Sequence, residues 1–269
     1  MPEGHTLHRL ARLHRRRYAG TEVAVASPQG RFAAEAAVLD GQVLRDAEAY
    51  GKHLFHDYGE HGTVHVHLGL YGAFTEAPLP ATPPVGQVRM RLVGRAHWTD
   101  LRGPTRCELL DEEQIDAIKA RLGPDPLRRD ARPDRAWERI SRSRSSLAAL
   151  LMDQSVLAGV GNVYRAEVLF RHGVAPMLPG RSLDRALWTE IWADLVGLMR
   201  AGVRTGRIDT VADEHLPEAT GRAPRQDRHG GEVYVYRRTG QPCLVCGTPV
   251  EHAVLAARNL YWCPTCQPG

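Results

Sequence analysis

The chain has 269 residues, 43% of them hydrophobic and 25% charged, the proportions of a globular protein with room for two or three domains. A net charge of +4 and a pI near 8.9 give a mild basic bias, compatible with nucleic acid as a partner. Neither an 18-residue apolar run nor an apolar N-terminal segment is present, so no membrane span or secretory signal is expected and a cytoplasmic protein is the default reading.

The chain opens MPEGHTLHRL. Removal of Met1 would turn Pro2 into a terminal secondary amine with the Glu3 carboxyl beside it. Leu7, Leu10 and Leu13 fall at helical spacing among arginines and histidines, which predicts a basic amphipathic helix over 4–18. From about 20 to 110 short β-branched and alternating segments are punctuated by Gly and Pro clusters, notably APLPATPPVG. That pattern predicts a sandwich or barrel carrying one leading helix. Only two of the 35 basic residues are lysines. Lys119 lies in DEEQIDAIKARL and reads as the solvated face of a helix. Lys52, in GKHLFHDY, stands where a compact point charge or a removable proton has a use that guanidinium does not serve. His65 and His67 alternate onto one strand face, but no third ligand at clear spacing supports a metal there.

Residues 122–135, rich in Pro and charge, read as an inter-domain linker. Helical patterns follow, with SSLAALLMDQSVL broken at AGVGN and resumed in VYRAEVLFRHG, a helix–turn–helix-like unit. A long amphipathic helix covers SLDRALWTEIWADLVGLMRAG. The polar stretch 205–232 predicts a mobile loop. Near the end, Cys243 and Cys246 form one C-x2-C pair and Cys263 and Cys266 another, 16 residues apart. Two tight turns each presenting two thiolates close a tetrahedral zinc site. Disulfides and redox chemistry are the alternatives, the former disfavoured in a cytosolic chain. Cys107 is left over as a small core residue. Arg258 falls near the tip of the ribbon's hairpin.

Six stretches taken in order, MPEG, GKHLF, HLGLYG, LGPDPL, DQSVLAGVGNVYRAEVLF and ARNLYWCPTCQ, resemble the formamidopyrimidine-DNA glycosylase and endonuclease VIII family of base-excision repair enzymes. The resemblance implies an α+β multidomain fold. It divides into an N-terminal catalytic β-sandwich with a flanking helix (1–120), a helix–two-turn–helix DNA-binding domain with a mobile loop (121–230) and a C-terminal zinc ribbon (231–269). It implies Pro2 as the nucleophile, Glu3 as the proton-shuttling carboxyl and Lys52 as a catalytic lysine holding a phosphate near the lesion. His67, Asn162 and Arg258 would grip the backbone around an extruded nucleotide, Leu70 and Tyr71 would wedge into the vacated stack, and Arg102 would contact the orphan base. One structural Zn2+ would be held by Cys243, Cys246, Cys263 and Cys266. The implied partner is damaged duplex or abasic-site DNA, with a monomeric enzyme in the bacterial cytoplasm, associated with the nucleoid when bound to DNA.

The sequence also departs from the family pattern. His5 and Thr6 stand where the family commonly has Pro and Glu, so a second acid near the nucleophile is absent. DLRGPT lacks the phenylalanine of the guanine-lesion enzymes, Leu70-Tyr71 looks like the endonuclease VIII branch, and Gly69 replaces a glutamine common there. An endonuclease VIII-like enzyme preferring oxidised pyrimidines follows, with 8-oxoguanine a weaker substrate. The competing readings are a catalytically inactive DNA-damage-binding protein on the same scaffold, and a zinc-ribbon transcription or translation accessory protein.

Overall fold

Helix α1 spans Gly4–Tyr18 in the computed structural model, which describes residues 2–226 and 231–269. Its apolar stripe buries Leu7, Ala11 and Tyr18, while Arg15, Arg16 and Arg17 occupy the last turn, where the helix dipole favours positive charge. The strands that follow form an antiparallel sandwich. They are β1 (Thr21–Glu22), β2 (Ala24–Ala26), β3 (Val43–Leu44), β4 (Asp46–Tyr50), β5 (His53–Asp57), β6 (Thr63–His67), β7 (Ala73–Pro78), β8 (Val88–Val93), β9 (His97–Arg102) and β10 (Arg106–Leu110). One sheet has the order β10-β6-β5-β4, the other β2-β8-β9-β7. Leu54, Val64, Val66, Met90, Leu92 and Leu101 point inward and share one core with α1. Ala47 and Ala49 are the inward residues of β4, small enough for α1 to lie along β4 and β5. His14 of α1 and His56 of β5 are fully buried, with nitrogens 2.9 Å apart, and Glu76 of β7 stands 3.7 Å from His14.

One element of this half was not anticipated. Helix α2 (Ala33–Leu39) interrupts the strands, a seven-residue, alanine-rich turn of helix with no side-chain cap to announce it. Helix α3 (Glu112–Ala120) closes the unit behind an Asp111–Gln114 capping box. Its Lys119 is more than a solvated cation: the ammonium pairs with Glu48 and lies 5.2 Å from the Phe55 ring centroid.

The chain divides into two compact units, Met1–Arg121 and Leu122–Gly269. The second unit begins with the segment read as a linker, and the start of that segment is packed rather than exposed. Residues 122–126 are all buried, Gly123 donates to the Gln154 carbonyl at 2.9 Å, and a Cβ on Gly123 would stand 2.3 Å from the Val156 carbonyl oxygen. Glycine is required there by close backbone approach.

The second unit holds α4 (Pro133–Ile140), α5 (Leu147–Leu150), α6 (Asn162–Arg171), α7 (Arg185–Thr205) and α8 (Pro217–Thr220). A ribbon hairpin of β11 (Glu251–Leu255) and β12 (Arg258–Trp262) ends it. Trp188, Ile191, Leu195 and Met199 give α7 its buried stripe. Leu260, Tyr261 and Cys263 of the ribbon belong to the same core as Val168 and Leu169 of α6. A ribbon this small cannot bury enough surface for a core of its own, and it borrows one from the helices. The expected mobile segment 205–232 carries α8 and a short 3-10 turn at Asp213–His215, and its residues 227–230 lie outside the described residues.

Candidate active site and nucleic-acid interface

In the first unit Pro2 is partly buried and Glu3 fully buried at the N-cap of α1, with extended backbone (φ −118°, ψ 177°) and no side-chain capping bond. Glu3 therefore does not serve the helix as a cap. The next histidine, His5, is also buried, and burial followed by nearby positive charge lowers its pKa to about 4.

Lys52 sits in the tight turn between β4 and β5 rather than in a strand, because Tyr50 and His53 already pair. Strand register then sets His53 opposite His67, so the turn brings Lys52 next to His67. The Lys52 charge contributes to lowering the His67 pKa, after burial and His65. His67 ends β6, and its Nδ1 accepts the Gly69 backbone N–H at 3.2 Å.

Beyond it the chain makes a closed turn, with the Gly72 N–H donating to the Leu68 carbonyl at 2.9 Å. Gly69 has φ +66°, and a Cβ there would fall 1.9 Å from Thr105 Oγ1, so a side chain at this position would be strained and would have to displace Thr105. Leu70 and Tyr71 project from it with 47% and 88% of their surface exposed. They are thus not a packed strand end, and two large apolar side chains held outward suit a gap in stacked bases.

Arg102 of β9 is placed beside this turn by the pairing of Ala73 with Arg102. Its guanidinium donates to Asp100 Oδ2 at 2.9 Å, to the Val85 carbonyl at 2.9 Å and to Thr75 Oγ1 at 3.2 Å. Asp100, fully buried, also binds Arg91 through both oxygens. In this conformation Arg102 ties down the 79–87 loop rather than reaching outward.

In the second unit the residue capping α6 is Gly161, and Asn162 is its first helical residue. The Asn162 side chain is 5% exposed, and its Nδ2 donates to the Asn259 carbonyl at 2.9 Å. Arg165, one turn on and buried, donates to Asn162 Oδ1, to the same Asn259 carbonyl at 3.0 Å and to the Ala148 carbonyl at 3.3 Å. The guanidinium fixes which way the amide faces, and both groups hold the residue after Arg258. Arg258 begins β12 exposed, just after the turn residues Ala256 and Ala257, whose φ angles are 48° and 57°.

Sequence reading missed both Arg165 and Glu167. Glu167 is fully buried, and its carboxylate accepts the N–H groups of Tyr234, Val235 and Tyr236 and the Thr210 hydroxyl. It therefore clamps both stems of the 211–231 segment. The only signal available was an acid at a position the apolar stripe of α6 would bury.

The four cysteine sulfurs lie within 4.8 Å of one another, a group that could hold a metal ion. Separations of 3.8 Å (Cys243–Cys266) and 3.4 Å (Cys246–Cys263) are too long for disulfides. They match the edge of about 3.8 Å expected when four sulfurs stand about 2.3 Å from one zinc. Backbone N–H groups of Val245 and Cys266 point at the Cys243 and Cys263 sulfurs, as thiolates require. This is a structural site for one zinc ion, its ligands all protein. Cys107 is partly buried, and burial pushes its thiol up to about 12, which keeps it unreactive.

Three family descriptions match consecutive parts of the chain. They are the formamidopyrimidine-DNA glycosylase N-terminal domain over residues 1–107, its H2TH domain over 122–213, and a zinc finger found in FPG and IleRS over 240–269. The Endonuclease 8 1 of Mycobacterium tuberculosis is 56% identical over 274 residues, covering 99% of this chain and 100% of that protein. The chain belongs to the formamidopyrimidine-DNA glycosylase family. A formamidopyrimidine-DNA glycosylase from Thermus thermophilus is 33% identical over 240 residues, covering 86% of this chain and 85% of its own. Two solved structures share the fold at 20% identity and a TM-score of 0.79. One is MutM in complex with DNA containing carbocyclic 8-oxo-G, with 100% of each chain covered. The other is Lactococcus lactis Fpg with abasic-site DNA, covering 99% of this chain and 100% of that one. Members of this family are DNA glycosylases of base-excision repair with AP lyase activity, and this chain is such an enzyme. Among the described residues no helix is long and apolar enough to cross a membrane.

Proposed function

We propose that this glycosylase excises oxidised bases, pyrimidines in preference, from duplex DNA and then cuts the strand, with Pro2 as the nucleophile after Met1 is removed. The Pro2 nitrogen attacks the sugar C1′, and the glycosidic bond breaks with its electron pair leaving on the base. The amine gives up its proton, and its lone pair then forms a cationic C1′=N bond as the C1′–O4′ bond breaks and the ring oxygen leaves as a hydroxyl. That cation acidifies the C2′ proton, so β-elimination expels the 3′ phosphate, and a second, δ-elimination expels the 5′ phosphate. A terminal α-amine has a pKa of about 7.7–8, so part of it carries a lone pair at neutral pH without burial. With Met1 retained the same nitrogen is an amide and cannot attack.

Glu3 is the proton carrier, giving a proton to the ring oxygen as the sugar opens. The observation that carries this reading is a fully buried carboxyl, uninvolved in capping, directly after the proline in a chain that matches a 56%-identical relative along all of that relative's length. Lys52 and His67 in the first unit, and Asn162 and Arg258 in the second, are the phosphate-holding groups. Leu70 and Tyr71 enter the stack when the nucleotide is extruded. We assign residues 1–120 to the catalytic domain, 121–230 to the helix–two-turn–helix domain and 231–269 to the ribbon. The enzyme acts as a monomer in the cytoplasm, on nucleoid DNA. The pyrimidine preference is supported by the Leu70-Tyr71 pair, the missing phenylalanine in DLRGPT, and relatives named as endonuclease 8.

Borohydride added to processed enzyme and abasic duplex should trap a covalent complex whose linked peptide begins at Pro2. Full-rate base release without a trapped complex, or a cross-link mapping to Lys52, overturns the mechanism. A panel of lesion duplexes tests the preference, and faster release of 8-oxoguanine than of oxidised pyrimidines would reverse it.

A further inference from the structure

On the outward face of the first sheet three imidazoles and a carboxylate form a connected chain. Glu108 Oε1 lies 3.0 Å from His65 Nδ1, and His65 Nε2 lies 2.8 Å from His53 Nδ1. The His53 ring stacks on His65 with centroids 5.0 Å apart and meets His67 edge-on at 5.0 Å. Phe55 stacks on His65 at 5.3 Å and is covered by Lys119. Strand register builds this array, since His53 is opposite His67, Phe55 opposite His65 and Glu108 opposite His65.

Hydrogen-bond direction then assigns the protons. A carboxylate only accepts, so His65 carries its proton on Nδ1 and offers a lone pair at Nε2. His53 must fill that lone pair from Nδ1. His67 accepts the Gly69 N–H at Nδ1, so its own proton lies on Nε2. Each ring is satisfied in its neutral form, and the charged surroundings agree. Lys52 in the β4–β5 turn, Arg106 on β10 and Arg121 after α3 are positive, while Glu108 is the acid in the chain. Burial, chiefly, lowers the pKa of all three histidines, His53 to about 3.

We propose that Glu108, His65 and His53 are a positioning chain that covers His67 and keeps it uncharged, so that it meets a backbone phosphate as a neutral Nε2–H donor. The inference rests on the reading of His67 as a phosphate contact. A full charge attracts any phosphate over the Debye length of about 8 Å at physiological salt, whereas a neutral donor acts only at contact. Lys52, one residue from His53, supplies the long-range pull. His67 then rewards only a backbone drawn in to hydrogen-bond distance, as around an extruded nucleotide, and adds nothing to binding of passing duplex.

The direct test is long-range 1H–15N spectroscopy of the imidazoles in the whole, processed wild-type enzyme. Protons on His67 Nε2, His53 Nδ1 and His65 Nδ1, with none of the three titrating between pH 7.5 and 5.5, is the expected result. An Nδ1–H tautomer at His67, or a His67 midpoint near 6.5, overturns the proposal. The salt dependence of affinity for abasic duplex gives a second readout. Uncovering His67 with His53→Ala should let it charge at pH 5.5 and steepen the log–log salt slope by about one relative to wild type, with no change at pH 7.5. A folded His53→Ala enzyme with the wild-type slope at both pH values also overturns it, and if that variant does not fold, the wild-type spectra decide alone. His67→Ala separates the two readings: an affinity loss of about tenfold at pH 7.5 supports the phosphate contact, and no loss removes it whatever the spectra show.

Discussion

Replacing Glu167 with glutamine changes one oxygen to an NH2 and almost nothing in volume. The carboxylate now accepts at Oε1 from Val235 N (2.9 Å) and Tyr236 N (2.8 Å), and at Oε2 from Tyr234 N (2.6 Å) and Thr210 Oγ1 (2.5 Å). In the best orientation glutamine keeps its oxygen toward Val235 and Tyr236, and the Thr210 hydroxyl rotates to accept from the new NH2. The Tyr234 N–H is then left facing a donor. Two charge-assisted bonds become neutral, at a loss of about 1 kcal/mol each, and one buried N–H is orphaned at about 1–3 kcal/mol. The second unit should lose about 3–5 kcal/mol. Four of the five tryptophans, Trp137, Trp188, Trp192 and Trp262, lie in that unit, so urea unfolding followed by tryptophan fluorescence reads it. The Tyr234, Val235 and Tyr236 amides should also exchange faster than the rest of the unit. A loss below about 1 kcal/mol with unchanged exchange at these amides would refute the clamp.

Acid should weaken the first unit well before carboxylates titrate. His5 is held at about 4 when folded and returns to 6.5 when unfolded, so below pH 6.5 only the unfolded chain takes up that proton. The stability is intact above pH 6.5 and drains toward pH 4, about 2 kcal/mol being gone at pH 5. His56, fully buried, acts in the same direction. Circular-dichroism melts at pH 8 and pH 5 check this, and His5→Gln should flatten part of the difference. Chelation should release one zinc per chain and destabilise α6 and α7 along with the ribbon, because Leu260, Tyr261 and Cys263 are in their shared core. A chromogenic zinc assay run with the fluorescence trace would show both. Finally, alanine in the left-handed region costs about 1–2 kcal/mol, so Ala256→Asn with Ala257→Gly should raise the ribbon's stability by about that amount, measured by the chelator concentration that opens it, while DNA affinity stays level.

What could be read from the sequence was local chemistry. The leucine period gave α1, and C-x2-C spacing gave the zinc site, because helix faces and tight turns are short-range objects. Arg258 was expected near the ribbon's hairpin tip and begins β12 directly after the turn, while Lys52 lies in the turn between β4 and β5. The missed features depend on partners far along the chain. Glu167 meets backbone 67 to 69 residues away, Arg165 reaches 94 residues to Asn259, and Arg102 is held by a loop carbonyl 17 residues back and a strand carboxylate shared with Arg91. Nothing in the local composition of LGPDPL distinguishes a packed glycine from a loose one. The close approach of Val156 makes that difference.

The Asn259 carbonyl serves two donors from α6, and that sharing has a consequence for engineering. C-terminal fingers are often treated as cassettes, to be exchanged between relatives while the rest is kept. Here a graft made at about residue 240 would put a foreign backbone oxygen under Asn162 and Arg165, and any offset would turn the amide as well as the finger. A working chimaera should therefore carry residues 122–269 across as one inherited piece.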